Sequence, residues 1–116
     1  MDDGYLLKML VGYLVTVSIE APVLLVGLAR AHPVRHRLFA GVWLTACTYP
    51  VVWLVLPPLF AERWAYLAVA EVFAPAAECL LFRLAFGRAG ARDLAAIVVA
   101  NLLSFGLGEV LWALLD

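Results

Sequence analysis

The chain has 116 residues, of which 66% are apolar and 15% charged, and its mean hydropathy is +1.01. A soluble domain carries about 45–50% apolar and about 25% charged residues, and one this small could not hide so much apolar surface; disordered and disulfide-stapled chains are excluded as well. A formal net charge of −1 gives nucleic acid no basic face to bind, which leaves an all-α integral membrane protein with little outside the bilayer.

A transmembrane helix needs about 20 mostly apolar residues, and four windows reach that length. Met9 to Ala29 carries one charge, Glu20, and Leu38 to Ala61 carries none. Trp64 to Phe82 carries Glu71 and Glu78, and Leu94 to Leu115 carries Glu109. The pieces between them are short and polar. They predict one transmembrane domain over residues 1–116, a four-helix bundle with helices at about 5–29, 38–60, 64–86 and 93–115. The leader Met1-Asp2-Asp3-Gly4 is acidic where a signal peptide is positive, so the first helix is expected to be retained. Pro57-Pro58 should end the second helix, and Pro22, Pro50 and Pro75 should kink their spans and free carbonyls that neighbours must satisfy. Tyr5, Trp64, Tyr66 and Trp112 stand where an interfacial aromatic belt would sit.

Orientation follows from the basic residues. Arg30, Arg35 and Arg37, with His32 and His36 among them, lie in the first loop, and Arg83, Arg88 and Arg92 in the third. The other side holds Lys8 and Arg63 beside Asp2, Asp3, Glu62 and Asp116. The excess predicts cytoplasmic loops at 30–37 and 83–93 and both termini outside, in a prokaryotic-type cytoplasmic membrane. The two histidines read as part of this basic cluster, which also suits anionic lipid head groups.

The halves of the chain resemble each other. An offset of 58 residues places Glu20 on Glu78 and Arg30 on Arg88. An offset of 56 places Thr45 on Asn101, Thr48 on Ser104 and Tyr49 on Phe105. The change of two residues falls in a loop, where insertions cost little. The match is short; it predicts two parallel helix-hairpin repeats.

The polar residues within the spans share a depth. Counted from the cytoplasmic arginines, Glu20, Thr45, Thr48, Glu78, Asn101 and Ser104 all fall about 12–18 Å into a core about 30 Å thick. Glu71, two helical turns from Glu78 on nearly the same face, and Glu109 form a second layer nearer the outside. A carboxylate at the bilayer centre costs at least about 2.5–3.5 kcal/mol. With no Lys or His in the spans, protonation is the expected resting solution for some of the four glutamates. Asn101, Thr45, Thr48 and Ser104 would then hydrogen-bond the acids or supply oxygen ligands. The same residues can serve as plain interhelical glue, at about 0.6 kcal/mol per contact. Small residues four apart, Ala70 with Ala74 and Ser104 with Gly108, predict close helix contacts.

No catalytic constellation is visible: there is no H-E-x-x-H, no Ser–Lys or Ser–His pair at depth and no phosphate loop. Cys47 and Cys79 are isolated, and no cofactor or metal site is expected. The expected function is a small transporter or channel, proton- or cation-linked, that uses Glu20 and Glu78, with Glu71, Asn101, Thr48, Ser104, Thr45 and Glu109 around them. Four short helices make a thin wall, so a homo-oligomer is expected. The alternative is an accessory or assembly subunit whose polar face docks on a partner membrane protein.

Overall fold

The computed structural model describes residues 3–115; Asp2 and Asp116, counted above among the outer acids, lie outside the described residues. The chain runs up, down, up and down through α1 (Asp3–Gly27), α2 (Val34–Pro50), α3 (Arg63–Phe86) and α4 (Ala91–Leu115). Past Pro50, α2 continues as a π-helical turn, Val51–Val55, and closes on a 3-10 turn, Pro57–Leu59. All four helices, α2 taken to Val55, are long and apolar enough to cross a membrane. They are apolar on every side, and Leu7, Leu14, Val26, Leu84 and Leu114 all face outward. That pattern suits lipid and not water.

The helices form a ring in which α1 and α3 each touch α2 and α4 and stand diagonal to one another. Helix α1 is the more tightly held of the two. Gly41 on α2 is one reason, because a Cβ there would stand 2.7 Å from the Cα of Ala21. The obstruction is backbone and cannot swing aside. A Gly41→Val variant is therefore expected to force α1 and α2 apart and to lose about 1–3 kcal/mol, read as a lower thermal midpoint in detergent. The predicted small-residue contacts fall differently. A Cβ at Gly108 would meet nothing within 4 Å, and Gly108, Ala70 and Ala74 line a cavity instead of a helix seam.

At the basic-loop end, α2 begins at Val34, four residues earlier than the charge pattern predicts. Pro33 holds an extended backbone there, and its carbonyl accepts from the His36 and Arg37 N–H groups, so the arginines ride on the first helical turn. The carbonyls at the C-terminal end of α1 would otherwise lack donors. Arg37 reaches the Leu25 carbonyl at 2.6 Å, and Arg92 reaches those of Gly27 and Val26 at 2.9 and 3.2 Å. Positive charge at a helix C-terminus is also favoured by the helix dipole. Helix α3 stops at Gly87, whose φ of 75° lets its N–H return to the Arg83 carbonyl at 2.9 Å.

The other end is shaped by prolines. Helices α1 and α3 remain α-helical on both sides of Pro22 and Pro75, whereas α2 changes to the π-helical turn immediately after Pro50. Further on, Pro57 and Pro58 have no N–H to offer the carbonyls one turn back, those of Val52 and Trp53. Two phenols take their place: Tyr66 on α3 donates to the Val52 carbonyl at 2.7 Å, and Tyr5 on α1 donates to that of Trp53. Removing one hydroxyl by Tyr66→Phe should leave a half-buried carbonyl unpaired and cost about 1–3 kcal/mol, measured as the shift in unfolding midpoint.

Candidate functional site

Six of the eight polar residues singled out by depth come together. Glu20 on α1 is 2% exposed and Glu78 on α3 is 1% exposed. Thr45 Oγ1 donates to Glu20 Oε1 at 3.3 Å, and Ser104 Oγ donates to Glu20 Oε2 at 2.7 Å. Thr48 Oγ1 donates to Glu78 Oε2 at 2.9 Å, and Asn101 Nδ2 donates to Glu78 Oε1 at 3.1 Å. Each carboxyl group thus receives one donor from α2 and one from α4. No Lys or Arg takes part, and Arg83, one turn beyond Glu78, is exposed.

Every donor in this layer also reaches a carbonyl of its own helix. Thr45 has Gly41 at 3.2 Å, Thr48 has Leu44 at 3.2 Å, Asn101 has Ile97 at 2.9 Å and Ser104 has the Asn101 carbonyl at 3.1 Å. Ser and Thr in helices commonly bond back in this way. A donor can therefore release its glutamate without being stranded. That matters in an apolar interior, where an unpaired polar group costs about 1–3 kcal/mol.

The layer is the floor of a cavity of about 610 Å³ that reaches exposed Lys8, Glu62 and Arg63 at the terminal end. Glu71 lines its wall between floor and rim, and Glu71 Oε1 is buried with no hydrogen-bond partner. Glu109 does not join the layer. It sits at the rim in an ion pair with Arg63, at 3.2 Å, with both side chains largely in the open. Below the floor the bundle closes on Leu24, Leu28, Ala40, Leu44, Phe82, Ala96, Ile97 and Ala100, all buried. The cavity is open on one side of the glutamates and sealed by apolar packing on the other.

One buried pair lies beyond what the sequence suggests. His32 is not a solvated member of the basic cluster: it is 5% exposed, and its Nε2 stands 3.0 Å from Asp93 Oδ2. Phe82 covers the imidazole edge-on, with ring centroids 5.1 Å apart. Asp93 also accepts from the Ala29 N–H at 2.8 Å and the Gly90 N–H at 3.2 Å. It occupies the third position of α4 and reaches back to the residue capping that helix, which is half of a capping box. The Gly90-to-Asp93 spacing is the signal in the sequence that marks it. This clasp fastens the first loop to the start of α4 directly beneath the apolar seal.

Among the described residues no group of three or more His, Cys, Asp or Glu could hold a metal ion, and Cys47 and Cys79 are half-buried free thiols. No protein-family model, curated protein or solved structure matches the chain.

Proposed function

We propose that the chain is a small membrane transporter or channel that passes a proton or cation by way of Glu20 and Glu78. The observation that carries this reading is the meeting of both glutamates, each on two neutral donors, at the floor of a cavity that ends in an apolar seal. Glue alone needs no cavity above it. A carboxyl group that gains or loses a proton must reach water and must have partners that tolerate both states. Hydroxyls can donate or accept, and each donor here has a second acceptor on its own helix.

The bonding pattern also supports the two-repeat reading. Exchanging Glu20 with Glu78, Thr45 with Asn101 and Thr48 with Ser104 carries the four hydrogen bonds onto themselves. The bond from Thr45 to Glu20 becomes that from Asn101 to Glu78, and the bond from Ser104 to Glu20 becomes that from Thr48 to Glu78. Even the bond from Thr45 to the Gly41 carbonyl maps onto that from Asn101 to the Ile97 carbonyl. Two such halves around a midplane site are the architecture of small carriers. With basic loops in the cytoplasm, the cavity faces outside and the apolar seal closes the inner half. Transport then requires a second form in which the seal parts beneath the glutamates.

Proton and monovalent-cation flux in proteoliposomes tests the reading, with wild type compared against Glu20→Gln and Glu78→Gln. Flux in the wild type that both substitutions remove supports it. Absence of flux under every proton, sodium and potassium gradient overturns it and points to an accessory subunit, for which co-purifying membrane proteins are the next thing to examine.

A further inference from the structure

A proton held at the glutamate layer still has the inner half of the bundle to cross. The buried side chains of the apolar seal offer it no site, and the buried titratable pair beyond them is His32 with Asp93. Phe82 follows Glu78 by about one helical turn on α3, and its ring centroid stands 5.1 Å from that of His32. Along α3, the acid and the imidazole are one aromatic side chain apart.

The clasp also sets which nitrogen can take up a proton. Asp93 accepts the N–H groups of Ala29 and Gly90, so it acts here as an acceptor, and the Nε2 that faces it at 3.0 Å carries hydrogen. When the ring is neutral, Nδ1 therefore holds the free lone pair, an orientation that carboxylates commonly impose on proton-transfer histidines. Around the imidazole, α4 supplies Asp93 and α3 supplies Phe82 and Phe86. Helix α2 supplies Arg37, which donates to the His32 carbonyl at 3.0 Å, and His36, which lies against Phe86.

Opening the way to this pair breaks no polar contact on α3. At the inner end, α1, α2 and α4 are tied together by Arg37, Arg92 and Asp93. Among the described residues, no side chain of α3 inward of Glu78 makes a hydrogen bond or ion pair. Phe82 and Phe86 hold that half of the helix by ring contacts. Withdrawal of the two rings admits water between Glu78 and His32 while the clasp stays closed.

We propose that His32 is the inner proton station of the route, taking on Nδ1 the proton that Glu78 releases and passing it to the basic-loop side. The inference rests on the carrier reading above and adds its exit site. In the step, the O–H bond at Glu78 Oε2 breaks and an N–H bond forms at His32 Nδ1, through water, leaving a carboxylate and an imidazolium paired with Asp93. Oε2 is the oxygen concerned because Oε1 faces the Asn101 N–H, which cannot accept a proton, whereas the Thr48 hydroxyl at Oε2 can accept a hydrogen bond. The imidazolium then loses its proton to water at the basic-loop face, and Glu78 regains one from the cavity.

The test compares wild type with His32→Gln, full chain, in proteoliposomes of known orientation. Glutamine keeps an N–H for Asp93 but takes up no proton, so proton flux should fall about tenfold or more with the thermal midpoint little changed. Unchanged flux in a folded His32→Gln protein overturns the proposal and leaves the carrier reading through Glu20 and Glu78 standing. The wild type gives a second measurement that needs no variant to fold. The chain has two histidines, so nitrogen-15 NMR can follow His32 by itself. At a constant pH difference across the membrane, inward flux should decline as acid on the basic-loop side protonates His32 Nδ1. A flux profile that ignores that protonation overturns the proposal, as does a neutral ring with its hydrogen on Nδ1. Absence of wild-type flux under every gradient removes the carrier reading and this station with it.

Discussion

Converting both buried acids to amides, Glu20→Gln with Glu78→Gln, is expected to lower flux by about a hundredfold or more, the usual scale for losing a positioned proton-transfer group. The same double variant should shift stability by less than about 1 kcal/mol, since single polar contacts between helices in a membrane average about 0.6 kcal/mol. The separation of the two effects is the test. A glutamine keeps one acceptor oxygen for Thr45 or Asn101, and its amide can donate to Ser104 or Thr48, whose hydroxyls can turn to accept. Each hydroxyl or amide that loses its partner still has its own helix carbonyl at 2.9–3.2 Å. The layer therefore stays bonded while its titratable protons are gone. A fall in flux accompanied by an equal fall in stability would assign the glutamates to packing alone. The readouts are initial flux rates in proteoliposomes and the thermal midpoint of the same preparation.

The second large effect is structural. Phe82 is 1% exposed and belongs to the apolar seal, with its ring 4.8 Å from Phe86 and 5.1 Å from His32. In a water-soluble protein Phe→Ala at such a site costs about 3–5 kcal/mol, partly for lost transfer out of water and partly for the void. In a bilayer the transfer part shrinks, because lipid is as apolar as the protein interior. The void remains, since the lining atoms lose their contacts in any solvent. About 2–3 kcal/mol should persist for Phe82→Ala, measured by the unfolding midpoint, and a smaller loss for Phe82→Leu. The void also opens the seal beneath the glutamates and uncovers the His32–Asp93 clasp. In a carrier of the proposed kind, Phe82→Ala should leak protons down a gradient that the wild type transports only in a coupled or saturable way. A tight vesicle with a destabilised protein would limit Phe82 to packing.

The helices and the common level of their polar groups were legible because two constants govern the count: the thickness of a bilayer core and the rise per residue of a helix. Glu20 and Glu78 stand ten residues before Arg30 and Arg88, and Thr45, Thr48, Asn101 and Ser104 stand eight to twelve residues beyond Arg37 and Arg92, which sets all six at one height. Height is not azimuth, however. That Thr45 and Ser104 serve Glu20 while Thr48 and Asn101 serve Glu78 depends on how each helix is rotated, which the close approach at Gly41 helps to fix. His32 was illegible for a different reason. Its burial depends on Asp93, 61 residues away, and a short segment dense in arginine reads as solvated until that partner is in place. Glu109 and Glu71 appeared equivalent by depth, yet the first pairs with Arg63 at the rim and the second lines the cavity wall. The π-helical turn was illegible too, because its carbonyls are satisfied by phenols from two other helices.

Those phenols also bear on how the sequence can vary over evolutionary time. Pro57, Pro58, Tyr5 and Tyr66 form one unit of inheritance: two residues create a shortage of donors and two relieve it. A lineage that replaces the prolines regains its backbone N–H groups and frees both tyrosines to drift toward phenylalanine. A lineage that keeps the prolines but loses a hydroxyl must compensate elsewhere in the cavity rim. Among homologous sequences the four positions should therefore change together, although 61 residues separate the first from the last. The glutamate layer should show the same linkage across the two halves, with a change at Thr45 answered at Asn101 before one at its nearer neighbours.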